Sequence, residues 1–412
     1  MTENCDEQKI QRFIKIYPWY AGLSADLLFW IAIDSLFFTV VRNLSHAQLV
    51  SLTSVSVIGG ILLQAPVLFV IKKAGNTAAV RIGTALLLIS SLFMAFGNNY
   101  YLIAVGKVLY EVAFTFKNMN SAMLENNLTL VGKSDEFIKY RTKANTIYAV
   151  VTMLISFVAG FMFNINSFLP VMSASFFCAV TFALSFFMRD YSEKGGKTAQ
   201  AGKTKKNGGE KIHYTKTIIL ILLSFGLFYP IANSGQSNGK LLIQDVLLEN
   251  TGVDATSLIL SGVLAFSRII RVISNATFYK IHIRFKNKVG VALAMLLSFS
   301  TLFFIIGYYL PAPLAVKVSV MSLGYLVILF IRDPFKVYAE NILLKAVTID
   351  KQQTMLTALD FFRKVVRALI SISFAALLTV NPLILVIIIL FALSAVEIII
   401  SFLLYKNAFP KP

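Results

Sequence analysis

The sequence predicts an all-α, polytopic membrane protein. Three observations carry that prediction. The 412-residue chain is 57% hydrophobic and only 14% charged, too little charge to cover a soluble protein of that size. Apolar runs recur from Tyr17 to Tyr405, each about 18 to 25 residues long and so able to cross a hydrocarbon core. The polar breaks between them alternate between basic and base-poor, as loops on opposite faces of a bilayer do. Barrel strands do not explain the runs, because spanning strands are shorter and alternate apolar with polar residues.

Counting runs between polar breaks places about twelve helices, near 17–42, 48–71, 79–97, 101–123, 142–165, 168–188, 217–240, 255–280, 289–309, 313–336, 354–380 and 383–405. One set of connections carries Lys9, Arg12 and Lys15; Lys72, Lys73 and Arg81; Lys133, Lys139, Arg141 and Lys143; and, later, Lys280, Arg284, Lys286 and Lys288. The set ends with Lys345, Lys351, Lys406 and Lys411. The other set, such as Asn98 to Tyr100 and Leu310 to Pro313, is nearly free of bases, with Arg42 and Lys317 as exceptions. The positive-inside rule puts the basic loops and both termini in the cytoplasm, which suits a bacterial inner membrane. The net charge of +18 therefore reports topology. A nucleic-acid partner would gather such charge on one patch, and none is expected.

The N-terminal tail, residues 1–16, mixes acids and bases and lacks a cleavage pattern. A Gly- and Lys-rich stretch over 191–216 reads as a cytoplasmic linker. It separates residues 17–190 from 217–405, with a short tail at 406–412. Tyr17, Trp19 and Tyr20 read as an interfacial aromatic belt. Cys5 and Cys178 imply no disulfide framework. His46, His213 and His282 fit no zinc spacing, so no metal and no cofactor are expected.

The two halves align at a constant offset. Glu125-Asn126 matches Glu340-Asn341, a separation of 340 − 125 = 215 residues. The same offset pairs Lys117 with Arg332, Asp135 with Asp350, Asn145 with Asp360 and Ser156 with Ser371. A shared offset over about forty residues points to a duplicated unit. The predicted architecture is thus two pseudo-symmetric six-helix bundles.

Twelve spans in two halves, a long basic central loop and cytoplasmic ends resemble the major facilitator superfamily over nearly the whole chain. That family's loop after the second span falls here on Leu68 to Thr77, where Lys73 and Gly75 keep the basic and glycine positions and Lys72 replaces the acid. The fifth span, Tyr148 to Phe163, lacks the Gly-x-x-x-Gly-Pro pattern of the family's drug antiporters. The resemblance implies a secondary transporter that works by alternating access, acts as a monomer and carries a small-molecule substrate. It also implies that the third, sixth, ninth and twelfth spans face lipid while the others line a central path.

Ionisable groups within the spans follow that division. A charge at membrane depth costs about 2.5–3.5 kcal/mol on insertion scales, so it needs a partner or a water-filled cavity. The third, sixth and ninth spans hold no interior Asp, Glu, Lys or Arg, and Glu397 in the twelfth is the exception. Asp26 and Asp34 in the first span and Lys107, Glu111 and Lys117 in the fourth are the coupling or gating candidates. Asp34 and Lys107 lie at similar depth and are expected to approach each other. The acids are candidate carriers of a coupling proton, with sodium as the alternative ion. Buried ion pairs that only hold helices in register are the rival reading.

Arg268 and Arg271 share one helix face at i,i+3, and Arg363 and Arg367 another at i,i+4; Arg332 adds a further base. The repeat partners of Arg363 and Arg367 are the uncharged Tyr148 and Thr152. Guanidinium forks suit carboxylate or phosphate, which points to an anionic or zwitterionic solute. Asn233, Gln236 and Asn238 are candidate hydrogen-bonding contacts, in a segment from Tyr229 to Lys240 that Pro230 and its glycines are expected to break. A multidrug or lipid exporter of the same fold is the nearest rival. An intramembrane lipid-modifying enzyme would need a nucleophile or metal cluster that the sequence does not show, so no enzyme activity is expected.

Overall fold

A computed structural model of the protein describes residues 2–28, 30–133, 136–192, 216–285, 288–346 and 349–408. The predicted linker from Glu193 to Thr215 lies outside them, as do Asp135 and residues 409–412. Among the described residues the regular structure is helical throughout, with no strand. The helices are α1 (Thr2–Leu23), α2 (Trp30–Leu36), α3 (His46–Leu62), α4 (Gln64–Phe96), α5 (Tyr100–Lys117), α6 (Met119–Leu130), α7 (Phe137–Ile165), α8 (Leu169–Ser185), α9 (Lys216–Phe285), α10 (Val289–Tyr309), α11 (Leu314–Ala346), α12 (Ile349–Leu377) and α13 (Leu383–Ala408). A π-helical turn, Phe37–Val41, follows α2.

Six helices are long and apolar enough to cross a membrane, and α3 and α8 are shorter apolar helices. Their exposed faces identify the solvent. On α7 the side chains of Val150, Leu154, Phe157, Phe161 and Ile165 recur every three or four residues, and all are exposed. Water would not tolerate so long an apolar stripe, whereas acyl chains do. The buried faces are rich in small residues that let backbones approach. Ser90 Oγ donates to the Gly106 carbonyl at 2.7 Å across α4 and α5. In the same pair, a Cβ at Gly83 would meet the Lys117 amide nitrogen at 2.7 Å. On α11, a Cβ at Gly324 would meet the Ser300 carbonyl of α10 at 2.6 Å.

Glycine also sets two elbows. α4 consists of two helices meeting at Gly75, with φ 84° and ψ 170°. α9 likewise turns at Gly252, with φ 77° and ψ 179°. A side chain is strained at such positive φ, and glycine is not. The predicted second and third spans, and the seventh and eighth, are therefore joined by single-residue elbows rather than open loops.

The helix break expected in the seventh span lies in the first. Tyr229 to Lys240 stays helical through Pro230. A proline removes one donor and crowds one carbonyl, and here the flanking Phe228, Ile231 and Ala232 are wholly buried and hold the helix. The first span instead opens between α1 and α2, where Asp26 Oδ1 accepts from its neighbour's amide, Leu27 N, at 2.8 Å. Short polar side chains compete with the helix ladder in this way. The aromatic belt reading also fails in part. Tyr17 and Tyr20 are fully buried, packed with Phe13, Ile14, Met123 and Leu128, and of these three aromatics Trp19 is the exposed one.

The helices form two compact units. The first comprises Met1–Asp34 and Val55–Gly209; the second comprises Ser35–Ser54 and Glu210–Pro412. The outer part of the first helical pair thus packs with the second unit. Thr39 Oγ1 accepts from Gln244 Nε2 at 2.8 Å, and His46 Nε2 lies 3.2 Å from Asp245 Oδ1.

Candidate functional site

In the first unit, polar groups gather on Asp26. Tyr110 Oη on α5 donates to Asp26 Oδ1 at 2.5 Å, and Tyr148 Oη on α7 lies 3.5 Å from Oδ2. One helical turn past Phe114, Lys117 Nζ donates to the Ser24 carbonyl, at the break that exposes that oxygen. The ammonium lies 3.9 Å from the Phe114 ring centroid, and only 4% of Lys117 is exposed. Asp26 is the acid whose charge bears on it. The arrangement joins α1, α5 and α7 through one carboxylate. Glu111 packs near Gly60 of α3, where an added Cβ would meet its Cβ at 3.2 Å. Asp34 and Lys107 are half-buried on α2 and α5.

The second unit carries a matching arrangement with guanidinium in place of ammonium. Arg332 Nη1 donates to Gln236 Oε1 at 2.6 Å, and Gln236 Nε2 donates to Tyr325 Oη at 3.3 Å. Asp333 takes Arg271 Nε at 2.6 Å on one oxygen and Arg332 Nε at 3.5 Å on the other. Arg268, one turn before Arg271, is 7% exposed, and its Nε has no hydrogen-bond partner. Asp333 therefore serves two arginines, with Arg268 a helical turn from one of them. Arg363 stands apart from them, paired with Asp360 and lying over the Tyr229 ring at 4.8 Å; Lys364 reaches the same acid at 3.5 Å. Asn238 is buried and donates to the Ser234 carbonyl at 2.9 Å, while its own Oδ1 has no partner. Asn233 and Arg367 are half-buried on α9 and α12.

The two hubs share a pattern that the repeat contains. Tyr110 and Lys117 lie seven residues apart on one helix, as do Tyr325 and Arg332, and 110 + 215 = 325. Seven residues are about two turns, so each tyrosine and its base share a face. Both tyrosines are site residues that a search confined to charged groups passes over. The constant offset could have found them.

Asp190, also unforeseen, supplies the acid that Lys72 displaces in the loop around Gly75. It is 1% exposed. Its Oδ2 accepts from Asn76 and Asn126, each at 2.8 Å, and its amide donates to Thr77 Oγ1 at 2.9 Å. The carboxylate comes from the end of α8 rather than from the loop, so loop spacing does not reveal it.

The His46–Asp245 contact lies between the spans read from the sequence, His46 before residue 48 and Asp245 between 240 and 255. Its hydrogen bond to Asp245 holds the imidazole above its usual pKa of 6.5. Because the folded value lies above the unfolded one, the contribution to stability is complete below the unfolded value and fades as pH rises through the folded value. Thermal unfolding followed from about pH 5 to 8 is expected to show this fall in the parent protein. Asp245→Asn is expected to flatten it; an unchanged profile in that variant would remove the contact from the account.

No protein-family model matches the sequence, and no curated protein does. Solved structures match it in fold. A variant of the nucleoside transporter NupG aligns at a TM-score of 0.72 with 12% identity, over 97% of this chain and 99% of that one. A bacterial homologue of the iron transporter ferroportin, in its inward-facing state, aligns at 0.65 with 12% identity, over 97% and 98%. The xylose transporter XylE from E. coli, in an inward-open conformation, aligns at 0.63 with 11% identity, over 98% and 95%. The chain is an all-α integral membrane protein. Its fold is that of the major facilitator transporters.

Proposed function

We propose that the protein is a secondary transporter that moves a small anionic or zwitterionic solute by alternating access, coupled to a proton or sodium. The observation that carries this reading is the gathering of guanidinium in the second unit, where Arg271 and Arg332 both pair with Asp333 and the buried Arg268, one turn before Arg271, has an Nε without a hydrogen-bond partner. A buried guanidinium that lacks a partner is costly unless an anion completes it. Gln236, already held by Arg332 and Tyr325, and the orphaned carbonyl of Asn238 would add neutral hydrogen bonds to the solute. Asn233, Arg363 and Arg367 extend the basic and polar surface. Asp26, Asp34, Lys107, Glu111 and Lys117 would serve coupling or gating, with Asp34 and Lys107 as a pair.

In this reading residues 17–190 and 217–405 act as the two moving halves of a monomer in a bacterial inner membrane. Residues 1–16, 191–216 and 406–412 would be cytoplasmic.

A thermal-shift screen of the purified protein against carboxylates, phosphorylated solutes, sugars and lipophilic cations tests the proposal. Stabilisation by a small anion is expected. Arg332→Ala should weaken it about 10- to 100-fold, the worth of roughly 1.5–3 kcal/mol for a hydrogen bond to a charged group. Stabilisation by lipophilic cations alone, indifferent to Arg332→Ala, would overturn it in favour of an exporter.

A further inference from the structure

We infer that Glu397 is a proton-binding site, buried between α13 and α9 and distinct from the coupling and gating acids Asp26, Asp34 and Glu111. Its geometry supports this role whether or not the solute is an anion. Glu397 is 0% exposed, on a helix whose other face meets lipid. Its Oε1 accepts from Ser224 Oγ of α9 at 2.6 Å and from Ser401 Oγ, one turn along α13, at 2.8 Å. Its Oε2 is buried with no hydrogen-bond partner.

Among the described residues Glu397 has no ion-pair partner. The helices packed most extensively on α13 are α9 and α10. α10 has no Asp, Glu, Lys, Arg or His over its 21 residues. On α9, residues 217–239 hold no charged side chain, Tyr229 is the titratable group among them, and the exposed Lys216 lies eight residues before Ser224, about 12 Å along the helix. α13 adds Tyr405 and Lys406, eight and nine residues on, the latter about 13 Å along the helix. Among the described residues no charged group bears on the carboxyl, and the two serine hydroxyls are its polar company.

An ionised carboxylate in so dry a place, with two neutral donors and no cation, is costly by several kcal/mol. A carboxyl that holds its proton avoids that cost. Its carbonyl oxygen takes both serine hydroxyls, as observed, and the remaining oxygen carries the proton. Release of the proton would leave a bare charge at the helix interface, favourable only if the carboxylate turns to water. Proton occupancy is therefore linked to the seating of α13 on α9. Ser224 lies twelve residues before Gln236, about 18 Å along the same helix, so the linkage reaches the element that bears the guanidinium hub.

Infrared difference spectroscopy on the purified full-length protein reads the proton directly. A protonated-carboxyl carbonyl band that shifts in deuterated buffer is expected at neutral pH and should vanish in Glu397→Gln, with thermal stability retained. The Ser224→Ala/Ser401→Ala protein should fold and show the same band at higher frequency, because a carbonyl that loses hydrogen bonds stiffens. That variant decides the matter if Glu397→Gln does not fold. A carboxylate signature assigned to Glu397 at neutral pH, or a double-serine variant that cannot fold, would overturn the inference. So would stabilisation by sodium chloride over choline chloride that Glu397→Gln abolishes, since it would mark a metal-bound carboxylate instead.

Discussion

Asp26→Ala is expected to cost the first unit up to about 3–5 kcal/mol, the penalty for leaving a buried charge, here the Lys117 ammonium, without its acid. The loss is large because three groups depend on that carboxylate. Tyr110 loses its hydrogen bond, Tyr148 loses its nearby acceptor, and the deeply buried Lys117 loses the acid that bears on it. Its bond to the Ser24 carbonyl and its place over Phe114 are dipolar contacts and do not neutralise a unit charge. Asp26→Asn should fall between, keeping an acceptor while losing the charge. Adding Lys117→Met to Asp26→Asn should then recover stability, since it removes the stranded ammonium, and a double-mutant cycle measures the coupling. Thermal unfolding in detergent is the readout. An Asp26→Ala protein that melts with the parent would mean that water or another group already solvates Lys117.

The second large effect is expected at Asp333. It is the acid shared by Arg271 and Arg332, and Asp333→Ala should destabilise the second unit by about 2–4 kcal/mol. The lower range reflects exposure: the Arg271 side chain is 29% exposed and that of Asp333 20%. Asp333→Asn should be milder and carries a second consequence. With the carboxylate gone, a bound anion takes over its neutralising work, so the same anion should raise the melting temperature of Asp333→Asn by more than that of the parent. Equal anion-induced shifts in the two proteins would place the solute elsewhere.

Much of this architecture is legible in the residue order. The apolar runs locate α8, α10 and α13 closely, because membrane thickness fixes their length, whereas α9 runs on through the break expected at 241–254 and α11 continues past residue 336. Gly75 is visible as a retained glycine, but its role as an elbow depends on φ, which sequence spacing does not report. Pro230 misleads for the opposite reason: a strong local breaker is overridden by wholly buried neighbours, while an ordinary Asp26 opens the first span by capturing an amide. The hubs are half legible. Lys117, Arg332 and Gln236 stand out as polar groups at membrane depth, whereas Tyr110 and Tyr325 pass for lipid-soluble aromatics until the duplication is read across them. Asp190 and the His46–Asp245 contact depend on segments 64 to 199 residues apart in the chain, a separation no local pattern encodes.

The allotment of Ser35–Ser54 to the second unit means that the chain cannot be cut at its middle into two self-sufficient pieces. A carboxy-terminal fragment beginning near Lys216 would be born lacking the strip that engages Gln244 and Asp245, and the amino-terminal fragment would carry that strip with nothing to receive it. Expressed apart, each should be insoluble or short-lived. Expressed together, they should find one another through this borrowed strip.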